Sequence, residues 1–359
     1  MNDITLLTLN GSPRLRGQVH GEQLRAQIAA VLDLWKADIE GETGLPAGEY
    51  LRQFLGGTNF LAAVERWSPG LLEEVRGLAE GAGQDFPTMF AFQCMDEDWW
   101  FRSSLSPRAH CSSIGVYGEG GAPILAQNMD IHIMTDGKQV LLHIQQGERE
   151  SLIFSFAGFL GLTGLNNRPL GVCVNTLPQL SVSAGGLPVA FMVRTLLEQS
   201  TLEAAEKFLR QVQHASGQNY MLGDGREMRD FECSANAVVQ VTAHGRRLRH
   251  TNHPLASADY HPDFEPPDGK TFSANSARRL EMLASRLDAG EVSPGAVKDI
   301  LRTPPVCVRK EAGDNFFTSG SLVMTLAASP LLELTAGPPS QGEYKAFTFP
   351  STPKGQQGN

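Results

Sequence analysis

The feature that most constrains this fold is a change of pattern at residue 111. Before it, apolar residues recur at helical spacing. Leu24, Ile28, Val31, Leu32, Trp35 and Ile39 follow steps of four, three, one, three and four, one face of a helix. A helix is therefore predicted over about 16–40, ended by Gly41 and Gly44-Leu45-Pro46. Further helices are predicted at 47–55, 59–66 and 69–80, the last with Pro69 in its first turn and Gly81 and Gly83 at its end. A short alternating strand at 3–9 precedes them. After residue 111 the texture is that of short strands divided by glycine turns, with predicted strands at 111–117, 122–128, 138–146, 150–157, 170–176, 219–223, 228–233, 237–242, 248–252, 321–328, 331–336 and 344–349. Helices interrupt them at 189–198, at 200–213 with Ser200 as N-cap and Glu203 completing a capping box, at 275–288 and at 293–302. The strands come mostly in hairpin pairs, which predicts a layered α/β structure with two sheets rather than a doubly wound parallel one.

The boundary itself is a hairpin. Cys111 opens its first strand, Gly118-Glu119-Gly120-Gly121 turns it, and Asn128-Met129-Asp130 lies at the end of the second. A hairpin brings its outer ends together, so Cys111 and Asp130 are expected to be neighbours. A thiol beside a carboxylate is one arrangement for a nucleophile, and a buried structural cysteine is the other reading of the same residues.

Composition removes several classes of function. A formal net charge of -9 argues against nucleic-acid and anionic-membrane partners, which need a basic face. No run is long and apolar enough to span a bilayer, and Met1–Leu7 lacks the basic and apolar regions of a signal peptide. Five widely spaced cysteines (94, 111, 173, 233 and 307) form neither a disulfide framework nor a zinc pattern and predict free thiols in the cytoplasm. His250, His253, Asp259 and His261 lack the fixed frame of a metal motif, so no metal and no cofactor are expected. Neither Gly-x-Ser-x-Gly nor a papain-type cysteine signature is present. Asn252, before a loop, could offer an amide N–H to an oxyanion or bond its own backbone. Ser276 and Arg279 lie on the first turn of a helix, where Arg is most often solvated.

Taken in order, these residues carry a resemblance. Gly17…Gly21, Glu74-Val75-Arg76-Gly77-Leu78-Ala79-Glu80-Gly81-Ala82-Gly83, Cys111-Ser112-Ser113, Gln127-Asn128-Met129-Asp130, Asn219–Asp224, Phe231-Glu232, His250-Thr251-Asn252-His253, Ser276…Arg279 and Leu322-Val323-Met324 together resemble the acyl-coenzyme A:6-aminopenicillanic acid acyltransferase family of N-terminal-nucleophile hydrolases. The resemblance implies a four-layer αββα sandwich. It also implies autocatalytic cleavage between His110 and Cys111, giving a mainly helical chain 1–110 that stays bound to a catalytic chain 111–350, with 351–359 a disordered tail. Cys111 would be nucleophile, its freed α-amine the base, Asn252 the oxyanion donor and Asp130 the orienting group. Arg279, or else Arg278, would be the site arginine, and Ser112, Asn128 and Ser276 would support them. The expected substrate is a small N-acyl amide or β-lactam-type amide, with an acyl-CoA donor as a candidate co-substrate and hydrolysis favoured over transfer. A catalytically silent member that binds an acylated small molecule is the alternative, and an unrelated α/β binding protein with a buried Cys111 a third reading. Met129 stands where the family often has an aromatic residue, His110 follows no rule for the residue before a cut, and Gln93-Cys94 replaces an expected Asn-containing turn.

Overall fold

The structure, a computed structural model, describes residues 4–102, 111–244, 246–263, 272–289, 292–311 and 315–349. His110 and the 351–359 tail lie outside the described residues. Among the described residues the first segment holds one strand, β1 (Thr5–Leu9), and seven helices: α1 (Pro13–Gln23), α2 (Arg25–Thr43), α3 (Ala47–Gly56), α4 (Phe60–Trp67), α5 (Pro69–Ala82), α6 (Phe86–Gln93) and α7 (Met95–Phe101). The helix predicted over 16–40 is in fact two. Leu24 leaves helical geometry at φ -114° and ψ 19°, and the apolar face that makes the pattern belongs to α2 alone. The two last helices, α6 and α7, have no counterpart among the predicted elements. Both are short, and α6 is apolar on all sides, so neither shows a period.

Glycines decide how α1 and α5 pack. A Cβ on Gly17 would lie 1.9 Å from the Glu74 carbonyl oxygen, one on Gly77 1.9 Å from that of Arg14, and one on Gly81 2.1 Å from that of Gln18. The two backbones therefore touch along a seam that no other residue permits. This is the physical content of the two glycine-bearing blocks, Gly17…Gly21 and 74–83.

The second segment contains β2 (Ser112–Tyr117), β3 (Pro123–His132), β4 (Gln139–Gln146), β5 (Arg149–Phe156), β6 (Thr163–Asn166), β7 (Gly171–Thr176), α8 (Val189–Leu197), α9 (Leu202–Gln211), β8 (Gln218–Gly223), β9 (Met228–Cys233), β10 (Val238–Gln240), β11 (Leu248–His250), α10 (Phe272–Ala289), α11 (Pro294–Leu301), β12 (Phe316–Thr325), β13 (Leu331–Ala336) and β14 (Lys345–Thr348). The N-cap of α9 is Thr201, not Ser200; its side chain accepts from Ala204 N–H. Strand β6 is not among the predicted strands because glycines interrupt its surroundings.

The strands form two sheets, ordered β1-β4-β5-β6-β7-β8-β9-β10 and β11-β2-β3-β12-β13-β14. All pairings are antiparallel except β1 on β4. The layers follow from the pleat. On β2 and β3, Ile114, Val116, Ile124 and Ala126 face out and pack with Leu283, Val297 and Leu301 of α10 and α11. Their alternates, Cys111, Leu125 and Met129, face the large sheet and join its core. On the large sheet Phe154 meets Gly320 of β12, while Ile153 points the other way, toward Gly161 and the aliphatic stem of Arg194 on α8. The result is helix–sheet–sheet–helix, the expected αββα order.

Candidate active site

The hairpin that begins at residue 112 places the site. Its turn works because Gly120 and Gly121 take φ of 75° and 82°, which side-chain-bearing residues avoid. The register then pairs Ser112 with Asn128, and its continuation sets Cys111 opposite Met129. The two sulfur atoms are 3.4 Å apart. Asp130 is one residue further and on the other face of the sheet, toward α10 and α11. The hairpin mouth thus brings Cys111 and Asp130 together as expected, with the Asp130 backbone N–H donating to the Cys111 thiol. The period-two pleat puts the two side chains on opposite faces.

Arg279 organises the helix side. It is fully buried. One guanidinium nitrogen donates to the Cys111 carbonyl at 2.6 Å and to Ser112 Oγ at 3.0 Å, and the other to Asn252 Oδ1 at 2.9 Å. Its Nε donates to Asn275 Oδ1 at 2.8 Å. Arg278, on the next helical position, is exposed, so the choice between the two falls on Arg279. Asn252 is set from three sides. Its Nδ2 donates to the Thr176 carbonyl at 3.0 Å, its backbone N–H to Ser276 Oγ at 2.7 Å, and its carbonyl accepts from Gln179 Nε2 at 3.0 Å. The second Nδ2 hydrogen has no partner among the described residues. Ser276 thus acts on Asn252, not on Cys111. Asn128 donates to the carbonyls of Leu301 and Val306 at 2.9 and 3.0 Å. It anchors α11 to the sheet and does not reach Cys111.

Two pKa shifts define the chemistry. Burial, reinforced by the Asp130 charge, pushes the Cys111 thiol up to about 12, so it is protonated near neutrality and needs a base. Burial also pushes the Asp130 carboxyl up to about 7, against the pull of Thr318 and Arg279. Thr318 Oγ1 donates to Asp130 Oδ1 at 2.5 Å, and Asp130 Oδ2 has no hydrogen bond among the described residues. Thr318 carries no sequence signal of its own; only the β3–β12 pairing reveals it.

The Cys111 side chain faces a small cavity of about 50 Å³ between α7, α8 and the two sheets. Met129, Ile131, Phe159 and Leu162 give it apolar walls, with Met95, Asp96 and Trp99 entering from α7. Gln93, the departure noted in the sequence, has a structural task. It donates to the Gly158 carbonyl at 2.9 Å and accepts from Leu160 N–H at 2.9 Å, pinning the turn that carries Phe159. His250 is committed to Glu232 at 2.9 Å and to the Thr251 carbonyl at 2.8 Å. Among the described residues no three His, Cys, Asp or Glu side chains converge as metal ligands, and no helix is long and apolar enough to cross a membrane.

A two-sheet sandwich with a cysteine at the mouth of a central hairpin, an apolar cavity before it and a buried arginine behind it defines a class of candidate acyl-group enzymes. The family model for acyl-coenzyme A:6-aminopenicillanic acid acyl-transferase matches residues 116–312, more than half of the sequence, and the chain belongs to that family. The matched stretch starts just after Cys111 and contains Asp130, Asn252 and Arg279. The reading as an unrelated binding protein is thereby removed. The chain is 28% identical over 285 residues to the 40 kDa form of acyl-coenzyme A:6-aminopenicillanic-acid-acyltransferase of Emericella nidulans, covering 79% of this chain and 78% of that one. It is 23% identical over 230 residues to protein dcd1A of Dictyostelium discoideum, covering 55% and 50%. Among solved structures, an N-acylethanolamine-hydrolyzing acid amidase ortholog of Caenorhabditis elegans aligns at 18% identity and TM-score 0.44, over 60% of this chain and 92% of its own. A mutant of the conjugated bile acid hydrolase from Clostridium perfringens aligns at 13% identity and TM-score 0.46, over 67% and 97%.

Proposed function

We propose that the chain is a self-processing cysteine amidohydrolase or acyltransferase that cuts its own His110–Cys111 bond and then acts on small N-acyl amides. The observation that supports this most is the double hold on residue 111. Its carbonyl is fixed by Arg279 while its thiol faces an apolar cavity. In the first step the thiol attacks the His110 carbonyl in an N-to-S acyl shift, and water then hydrolyses the resulting thioester. Residues 1–110 and 111–359 separate covalently but stay packed. The α-amine so freed has an ordinary pKa of about 7.7–8.0 and supplies the base that the buried thiol lacks. It takes the thiol proton, the thiolate attacks the substrate carbonyl, and the spare Nδ2 hydrogen of Asn252 donates to the tetrahedral oxyanion. The amine leaves, protonated. Water resolves the acyl-enzyme, or an acceptor amine does so in transfer, with an acyl-CoA as the donor of that mode.

Asp130 orients the α-amine and the thiol of Cys111, its backbone N–H being hydrogen-bonded to the thiol. The free cysteines support a cytoplasmic location. A silent, unprocessed member that merely binds an acylated molecule is the competing reading. A panel of acyl p-nitroanilides separates them. Chromophore release by the wild type that disappears in Cys111→Ala is expected; release equal in the two proteins would overturn the assignment of the nucleophile.

A further inference from the structure

Two buried groups beside Asn252 have no part in this chemistry. Glu232 is on β9 of the large sheet and His250 on β11 of the small one. Both are fully buried. Glu232 accepts from four donors: His250 Nε2 at 2.9 Å, and the backbone N–H groups of Leu255, of Ala256 at 3.0 Å and of Ser257 at 2.6 Å. A carboxylate offers about four acceptor sites, so this one is filled. A single carboxylate thus closes a loop from both ends, with Asn252 between them.

The bonding also fixes the charges. His250 Nδ1 lies 2.8 Å from the Thr251 carbonyl, while Nε2 faces the carboxylate. Both ring nitrogens meet acceptors, so both carry hydrogen and the ring is an imidazolium. Burial alone would lower His250, but Glu232 and Asp230 outweigh it and raise it. Burial alone would raise Glu232, but His250 and the N–H groups of Leu255 and Ser257 hold it below the usual carboxylate range. The pair reaches Asn252 through one peptide group. The Thr251 carbonyl is held by His250, and the N–H of the same peptide, that of Asn252, donates to Ser276 Oγ at 2.7 Å. The bonds to Arg279 and Thr176 set where the Asn252 amide points; Glu232 sets where its main chain stands.

We propose that Glu232 is a positioning residue for Asn252. Through His250 on one side and the N–H groups of Leu255, Ala256 and Ser257 on the other, it holds the segment 250–257 against Arg279. An ion pair that only joined the two sheets would need His250 alone. The three loop N–H groups are bonded in addition, and they tie down this segment and nothing else. For its effect on rate the inference rests on the amidase reading, with Asn252 as oxyanion donor; the hold on the segment does not.

Hydrogen exchange followed by mass spectrometry in Cys111→Ala reads the hold itself. Glu232→Gln, which cannot accept at both of its terminal atoms, should speed exchange in a peptide spanning 250–257 by about tenfold or more, while β12 stays protected. Unchanged exchange there overturns the proposal. Release of p-nitroaniline from acetyl, butyryl and hexanoyl p-nitroanilides, per chain beginning at Cys111, reads the consequence. Glu232→Gln should lower kcat by about tenfold or more with KM within about twofold, as expected of a misplaced oxyanion donor. In an Asn252→Ala background the same substitution should cost less than about twofold, because the donor it acts through is gone. An equal loss in both backgrounds, or an unchanged kcat, overturns the positioning role. Faster exchange in Glu232→Gln with no turnover of any anilide by the wild type would condemn the amidase reading and support the hold on the segment. If Glu232→Gln does not fold with a lone imidazolium inside, Glu232→Gln/His250→Gln removes both charges together, and the same outcomes decide.

Discussion

At the scale of single residues, Arg279 ties the site together. Its fork reaches the Cys111 carbonyl, Ser112 and Asn252 at once, a geometry that a lysine ammonium cannot copy. Arg279→Lys should slow both self-cleavage and turnover by about a hundredfold, by loosening Cys111 and Asn252 together. Arg278→Ala, at an exposed position, should leave stability within about 0.5 kcal/mol of the parent. Denaturing electrophoresis over time and chemical denaturation check the two.

Asp130 gives a prediction in pH. Its folded pKa of about 7 lies above the ordinary 3.8. Between those values the folded chain keeps a proton that the unfolded chain has lost. The corresponding stability is full below 3.8 and disappears as pH rises through about 7. In a Cys111→Ala background, chosen because the proposed self-cleavage needs that thiol, Asp130→Asn should therefore gain on its parent from pH 5 to pH 8, by roughly 2–4 kcal/mol. Denaturant titrations at the two pH values measure it, and an equal difference at both would contradict the burial of an acid there. Cys111, Asp130, Asn252 and Arg279 are all legible in the sequence because a short block marks each. Thr318 is not, since only tertiary packing makes it more than an ordinary polar residue.

At the scale of elements, the α1–α5 pair sets the fit of the N-terminal segment. Gly77→Ala puts a methyl group against the Arg14 carbonyl, where backbone and not a flexible side chain must move. It should cost about 1–3 kcal/mol or more, the range of overpacked interiors. A thermal melt of the variant checks it; an unchanged midpoint would mean that the seam is looser than described. The same scale shows where sequence reasoning loses detail. The hairpin strands are located to within a few residues because alternation and glycine turns agree. The single helix over 16–40 is really α1 and α2, because Leu24 breaks the helix without a glycine or proline to announce it. Helices α6 and α7, one of which carries Asp96, have no period to read. The α9 cap moves from Ser200 to Thr201 because two adjacent hydroxyl residues offer the same sequence signal and only geometry chooses.

At the scale of the whole molecule, the two segments are interlocked. Strand β1 lies parallel on β4 at the edge of the large sheet. Glu74 of α5 is buried between Arg16 of α1 and Arg194 of α8, accepting at 2.9 and 2.8 Å. Burial alone would raise its carboxyl, but Arg194 and Arg16 outweigh that and hold it below the usual range. Separating the segments would take Glu74 from Arg194, leaving that arginine without its carboxylate, and would tear apart one continuous core. A cut after residue 110 would therefore leave a folded two-chain particle, with α7 still closing the cavity from its side.

Intact-mass spectrometry shows whether the His110–Cys111 bond is cut. Purified wild type, run under denaturing conditions, should give two species of about 12 and 27 kDa whose masses sum to the 38.9 kDa chain plus one water. The larger should begin at Cys111, and the two should elute together under native conditions. Cys111→Ala should remain a single 38.9 kDa species. A wild type that stays whole and matches Cys111→Ala, or a variant that is cut like the wild type, would contradict the account.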